Sequence, residues 1–200
     1  MLLFIASVYL LLITPGPGVL SLAGFGAAFG RQSGLNYMLG LLIGTNVVAL
    51  AVVTGLAAVV LSVPWLRNVL LIASIAYLLW LAFRIAMSGS NIGFIEAPKK
   101  PGITDGVLLQ IINPKAYVVN TALFTGYPFA NQSLMVETLT KFLVINAIWI
   151  MIHLLWLYAG ITLRRMDLKP NTQRGINILM GVAMLIVVVL AAFSTLSMKT

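Results

Sequence analysis

A helix-breaking run at residues 13–18 (ITPGPG) lies inside an apolar segment, residues 2–29, that contains no charged side chain. Each proline lacks a backbone donor and clashes with the preceding helical turn, and each glycine lowers the cost of leaving helical geometry. In the hydrocarbon core of a membrane, backbone groups freed in this way must face protein or a water-lined cavity. The run therefore predicts a broken membrane helix whose break is covered by other parts of the chain.

The composition indicates that the whole chain is an integral membrane protein. Of its 200 residues, 61% are hydrophobic and 8% are charged, whereas a soluble domain carries about 25% charged residues. The net charge of +8 is then explained by basic residues in cytoplasmic loops, and we expect no nucleic-acid partner. Because the sequence has no cysteine, disulfides and thiolate metal sites are excluded.

Charged residues and turn residues divide the chain into six predicted membrane helices, since each needs about 20 apolar residues. We expect spans at residues 2–29, 35–61, 67–87 and 104–126, then between Lys141 and Arg164, and between Arg174 and Lys199. Residues 31–34 and 62–65 are predicted turns. Glycine, proline and lysine mark residues 88–103 as a linker. The predicted fold is an all-α integral membrane protein.

A second break, at residues 113–116 (NPKA), interrupts the fourth span as the first break interrupts the first span. Three spans in each half require the second half to cross the membrane in the opposite direction. We therefore predict one membrane domain made of two inverted three-helix repeats, residues 1–87 and 104–200, joined by the linker. Paired breaks in corresponding spans are typical of a transporter's binding site.

Basic residues predict the orientation in the membrane, because they are enriched in cytoplasmic loops. The loops after the first, third and fifth spans hold Arg31, Arg84, Lys99, Lys100, Arg164, Arg165, Lys169 and Arg174. The opposite side holds only Arg67, Lys141 and Lys199. We therefore expect the linker in the cytoplasm and both termini outside.

The helix N-termini that follow the two breaks form a candidate substrate site. The first turn of a helix leaves N–H groups unpaired at the positive end of the helix dipole, which suits a carboxylate. The predicted substrate-binding residues are Thr14, Pro15, Gly16, Pro17, Gly18, Asn113, Pro114 and Lys115. An ammonium is costly inside a membrane. Lys115 could therefore attract a substrate carboxylate, change its protonation during the cycle, or satisfy carbonyls freed by the breaks.

Thr45, Asn46 and His153 are further candidates for lining the cavity or for proton coupling. The imidazole of His153, the only histidine, ionises near neutral pH, but a neutral ring bonded between helices explains it more simply. Hydrogen bonds between helices explain Thr45 and Asn46 equally well. No acidic residue lies deep in a predicted span, and no phosphate-binding or metal-binding motif is present. We therefore expect no metal, no cofactor and no enzymatic activity.

The chain resembles the LysE/RhtB family of amino-acid exporters over nearly its whole length. Four stretches carry the resemblance: residues 14–20 (TPGPGVL) followed by 30–45 (GRQSGLNYMLGLLIGT), 67–84 (RNVLLIASIAYLLWLAFR), 105–116 (DGVLLQIINPKA) and 155–166 (LWLYAGITLRRM). The resemblance implies a six-span inner-membrane exporter driven by the proton-motive force. Family members often have an aspartate where this chain has Thr45 followed by Asn46, which leaves His153 and Lys115 as the titratable candidates.

The sequence thus predicts a secondary exporter of amino acids or similar small zwitterions, embedded in the lipid bilayer. Efflux of another small solute or a hard cation is one alternative, and a non-transporting scaffold subunit is another. Gly40 and Gly44 recur at a spacing that suits close helix packing, either within one chain or between two. A homodimer is therefore left open.

The orientation can be tested with a Gly93→Cys variant in the linker, because the chain has no other cysteine. In intact cells we expect this thiol to be shielded from a membrane-impermeant reagent, and to react after the cells are permeabilised. Labelling of intact cells would reverse the predicted topology.

Overall fold

The computed structural model describes residues 1–63, 100–129 and 132–166, together with scattered residues between 65 and 83 and between 168 and 186. Its helices are α1 (Leu2–Ile13), α2 (Pro17–Val53), α3 (Leu56–Ser62), α4 (Ile103–Ile112), α5 (Pro114–Thr125) and α6 (Leu134–Arg165). The described residues contain no strand, so the all-α prediction is confirmed for this part. The predicted third span, the linker up to residue 99 and the sixth span lie mainly outside these residues. The six-span count and the inverted repeats therefore stay predictions.

Both predicted helix breaks are present, and they share one form. α1 ends at Ile13, the backbone at Gly16 is extended, and α2 opens on Pro17. α4 ends at Ile112, the backbone at Asn113 is extended, and α5 opens on the proline that follows. A proline in the first helical turn removes no helical hydrogen bond, because the N–H groups of that turn have no partner within the helix. At the first break the helix direction changes by 54°.

The prediction of a turn at residues 31–34 is wrong, because these residues are helical. The chain changes direction at Gly30 alone, where φ is 79° and ψ is −176°, a conformation that glycine adopts without a steric penalty. The helix that is long and apolar enough to be the second span is accordingly Phe29–Val53 and not 35–61. It stops at Gly55, whose φ of 77° and bond from its N–H to Val52 O form a glycine cap.

The predicted start of the fifth span near Lys141 is also wrong, because α6 begins at Leu134. Lys141 and Glu137 are therefore helical rather than loop residues, and their side chains form an ion pair at 2.6 Å. The Lys141 ammonium, which is 1% exposed, also donates to Phe124 O at 2.8 Å. Because its charge is paired four residues away in the same helix, the lysine can be buried without ending the span.

α2 is the central helix of the described part and packs on α4 and α6. Glycines bring the backbones close together: a Cβ on Gly40 would overlap Ile103 O, and a Cβ on Gly160 would overlap Ala23 O. Gly40 and Gly44 thus pack against α4 of the same chain. Small residues at helix crossings are the usual means of close packing in membranes.

The described helices include two that are long and apolar enough to cross a membrane, Phe29–Val53 and Leu134–Leu163. A third span results if the bent pair of Leu2–Ile13 and Pro17–Ala27 is counted as one. Large apolar side chains such as Leu2 and Leu143 are exposed on the outside of these helices. Exposed side chains of this kind suit contact with lipid.

The contact between α2 and α6 predicts the effect of Gly160→Ala. The added methyl group would overlap the backbone of α2 at Ala23, and overpacking of this kind costs about 1–3 kcal/mol. We expect a lower Tm in detergent, measured by the loss of the monodisperse peak after heating. Gly175→Ala is the matched control, because its Cβ would meet no atom within 4 Å among the described residues. Equal Tm values for the two variants would contradict this packing.

Candidate substrate site at the helix breaks

The two helix breaks meet at one cavity, which we call the break cavity. Its lining residues are Leu12, Thr14, Gly16, Pro17, Gly18, Val19, Thr45, Gln110, Asn113, Lys115, Ala116, Val119, Asn120, Ile145, Trp149 and His153. Pro15 and Pro114 are not among them, although they create the breaks. Asn46 lies in a second, smaller cavity. The structure thus brings most of the sequence-predicted site residues together.

The N-terminus of α2 offers unpaired backbone donors to the break cavity. Gly16 provides no capping side chain, and the first backbone bond of the helix runs from Leu20 N to Gly16 O at 3.0 Å. In the described part of the chain, the N–H groups of Gly18 and Val19 therefore have no hydrogen-bond partner. Both residues are buried and line the cavity. Such N–H groups at the positive end of a helix form a favourable position for an anion.

The N-terminus of α5 differs, because its first turn is capped by the chain itself. Asn113 Oδ1 accepts the Lys115 N–H at 3.1 Å, and Asn113 O accepts the Ala116 N–H at 3.0 Å. The Asn113 side-chain amide also donates to Gln110 Oε1 at 2.9 Å. Of the two equivalent helix ends expected from the sequence, only that of α2 is therefore open to a ligand.

Lys115 connects the two breaks. Its ammonium donates to Thr14 O, a carbonyl that has left the α1 hydrogen-bond ladder. Gly16 makes room for this contact, since a Cβ there would lie 3.0 Å from Lys115 Cδ. Three roles were expected for this lysine, and the contact shows one of them, a hydrogen bond to a carbonyl that a helix break has freed. The ammonium nevertheless lines the break cavity, so it also contributes positive charge beside the α2 N-terminus.

His153 places an acceptor on the cavity wall. Its Nδ1 lies 2.9 Å from Trp149 O, and its ring stacks on the indole with centroids 3.4 Å apart. A carbonyl can only accept a hydrogen bond, so Nδ1 carries the proton and Nε2 of the neutral ring is left as an acceptor. A Cβ on Gly18 would lie 3.8 Å from this Nε2, which places it beside the α2 N-terminus.

Gln110 and Trp149 are site residues that sequence reasoning missed. Gln110 is buried at 4% exposure in the last turn of α4, and its amide nitrogen lies near Gly18. A single polar residue just before the second break is the signal that could have identified it. Trp149 is 2% exposed, and its indole stacks on the His153 ring.

The break cavity combines these groups in a way that suits a small zwitterion. The α2 N–H groups and the Lys115 ammonium can hold a carboxylate, while His153 Nε2 can accept from an ammonium. Val119, Ile145 and other apolar side chains complete the wall. No acidic side chain lines this cavity, and the described residues contain no group of His, Asp and Glu that could hold a metal.

Comparisons with known proteins identify the family of the chain. A family model described as LysE type translocator matches residues 9–195, which include both breaks and every residue of the break cavity. A leucine efflux protein from Enterobacter sp. (strain 638) is 24% identical over 148 residues, covering 71% of this chain and 68% of that protein. No solved structure matches the chain. The resemblance stated from the sequence is confirmed, and the chain belongs to the LysE type translocator family of membrane transport proteins.

Proposed function

We propose that the protein is a secondary exporter of amino acids with small apolar side chains, working across the bacterial inner membrane and driven by the proton-motive force. The observation that carries the proposal is the open N-terminus of α2, which faces the Lys115 ammonium and the His153 acceptor in one cavity. Membership of a translocator family supports transport, and the similarity to a leucine efflux protein supports the substrate class.

In this proposal the substrate carboxylate binds the N–H groups of Gly18 and Val19 and pairs with the Lys115 ammonium. The substrate ammonium donates to His153 Nε2, and the apolar side chain packs on the wall formed by Val119, Ile145 and neighbouring residues. A hard cation fits this cavity poorly, because the donors and the lysine repel it. The family match argues against the scaffold alternative.

Among the described residues the break cavity has a volume of about 50 Å³. An exporter must open its site to the cytoplasm and to the outside in turn, so the walls of this cavity must move relative to each other. Rocking of the two inverted repeats, residues 1–87 and 104–200, would provide this motion and expose the site to each side in turn.

The acceptor on His153 also provides a means of proton coupling. Nε2 has one lone pair, so it can bind either a proton or the ammonium of the substrate, but not both. Binding of a proton from outside would therefore accompany substrate release, and loss of that proton to the cytoplasm would restore the acceptor. This competition for one lone pair is the basis of an antiport. Nearby Lys115 is the other titratable residue on the wall.

The proposed substrate arrangement predicts how Lys115→Ala changes leucine uptake into inverted membrane vesicles that contain the protein in their membrane. Wild-type vesicles should accumulate labelled leucine when energised, and the variant should lose at least about tenfold in uptake, because a hydrogen bond to a charged group is worth about 1.5–3 kcal/mol. Lys100→Ala is the matched control, since Lys100 is exposed and outside the cavity. Membrane levels of each variant are measured by immunoblot.

The same vesicles test which end of the substrate is recognised. Unlabelled leucine should compete with labelled leucine, whereas the corresponding amine without a carboxylate should not. Competition by the amine, or full uptake by Lys115→Ala, would contradict a carboxylate site at the breaks.

The coupling mechanism predicts a specific loss in His153→Gln, because glutamine offers an acceptor oxygen that does not bind a proton at neutral pH. Accumulation driven by a pH gradient should fall to the level of vesicles without a gradient, because the variant has no side chain at this position that can return the proton. Exchange of labelled for unlabelled leucine without a gradient should persist, because exchange needs no proton return. Protonophore-sensitive accumulation in this variant would assign the coupling to another residue.

A further inference from the structure

α2 and α6 are joined by a reciprocal pair of amide side chains. Asn46 Nδ2 donates to Asn146 Oδ1 at 2.8 Å, and Asn146 Nδ2 donates to Asn46 Oδ1 at 2.9 Å. Each Nδ2 also donates to a carbonyl one turn earlier in its own helix, Leu42 O at 2.8 Å and Phe142 O at 2.9 Å. All four N–H groups of the pair are thus used, and the arrangement looks the same from either helix.

The amide pair lies against the second, smaller cavity, which continues the break cavity. Both asparagines line the smaller cavity, whereas Thr45, Asn120 and Ile145 line the smaller cavity and the break cavity alike. These three side chains are therefore the shared wall between the two spaces. Beyond them the rings of Phe124 and Phe142, with centroids 4.9 Å apart, also line the smaller cavity.

The direction from the break cavity to the amide pair points to the outer end of the helices. Along α6 the pair lies between His153 and the helix start at Leu134, and along α2 it lies between Thr45 and the helix end at Val53. In the predicted orientation these helix ends are extracytoplasmic. The pair therefore stands between the proposed substrate site and the outside.

We propose that the Asn46–Asn146 pair is the closed outer gate of the translocation pathway, and that the smaller cavity is the exit route behind it. The proposal rests on the proposed transport function and orientation. A gate of this kind must separate at low cost, and interhelical amide bonds in membranes are individually weak. When the pair separates, each Nδ2 keeps the bond to its own helix. The freed donor and acceptor on each amide can then be satisfied by water or by the passing zwitterion.

A gate and a purely structural hydrogen bond predict different results for accessibility. Structural bonds between helices change the stability of the bundle, whereas a gate changes which side of the membrane reaches the site. The cysteine-free sequence allows a single reporter, Thr45→Cys, in the wall shared by the two cavities. An impermeant thiol reagent added outside intact cells then measures how open the route is.

We expect the reporter to react about tenfold faster when either Asn46→Ala or Asn146→Ala is introduced, as two interhelical bonds are lost. The double variant should be no faster than either single variant, because both substitutions remove the same pair. Asn36→Ala, at an exposed asparagine of α2 bonded to Gln32, is the matched control and should leave the rate unchanged.

A second variant covers the case in which the alanine proteins insert poorly. In the double variant Asn46→Cys/Asn146→Cys, a short bifunctional thiol reagent can cross-link the two cysteines through a bridge that a reductant cleaves. We expect the cross-link to block leucine export and the reductant to restore it. Unchanged reporter rates in well-inserted proteins, acceleration only from the cytoplasmic side, or full export by the cross-linked protein would each overturn the gate. Faster labelling of the gate variants, together with no uptake of any amino acid by the wild-type protein, would support the gate and overturn the proposed cargo instead.

Discussion

The described structure depends on how the backbone groups freed at the two proline-containing breaks are satisfied inside an apolar environment. Inside a membrane an unsatisfied carbonyl or N–H group costs several kcal/mol, so a broken helix exists only where partners are supplied. Lys115 supplies one partner by donating from the second break to the Thr14 carbonyl at the first. Asn113 caps the turn that follows. What these two residues leave unpaired, at Gly18 and Val19, is the part of the site that is available to a ligand.

The two breaks therefore differ in how their backbone groups are satisfied, although their sequences and backbone conformations correspond. At the second break, the Asn113 side chain caps the N-terminus of α5. The Lys115 side chain of the same break donates a hydrogen bond to a carbonyl of the first break. The first break has glycine where the second has asparagine, so it has no capping side chain. The same glycine leaves room for the lysine to pass. The two breaks thus form a specialised pair, in which the second stabilises the first and the first leaves its helix N-terminus open to a ligand.

The sequence predicted the breaks and their meeting because proline acts locally, so its effect can be read without knowing the neighbours. The turn at residues 31–34 failed for the opposite reason. Polar residues there suggested a loop, but Gly30 alone redirects the chain and the helix resumes at once. The start of the fifth span failed because Lys141 was treated as a free charge, whereas Glu137 pairs with it inside α6.

Other parts of the site depend on contacts that no sequence pattern specifies. Gln110 is one polar residue in an apolar helix, and only the packing of α4 on α2 directs it to the cavity. The pairing of Asn46 with Asn146 joins residues far apart in sequence, and it was not distinguishable from contacts of either residue with another helix. In both cases the sequence indicates a polar residue in an apolar helix but does not indicate which residue or cavity it contacts.

The ion pair within α6 has an electrical consequence. Lys141 and Glu137 lie on the same helix with their charges 2.6 Å apart, so any displacement of α6 carries both together. A moving charge couples to the membrane potential at about 2.3 kcal/mol per elementary charge per 100 mV, but a neutral pair contributes almost nothing. Movement of α6 is therefore coupled to the membrane potential only through its other charges, such as Arg165 at its C-terminal end. In the proposed transport cycle the potential would also act on the proton, but not on a zwitterionic substrate, whose net charge is zero.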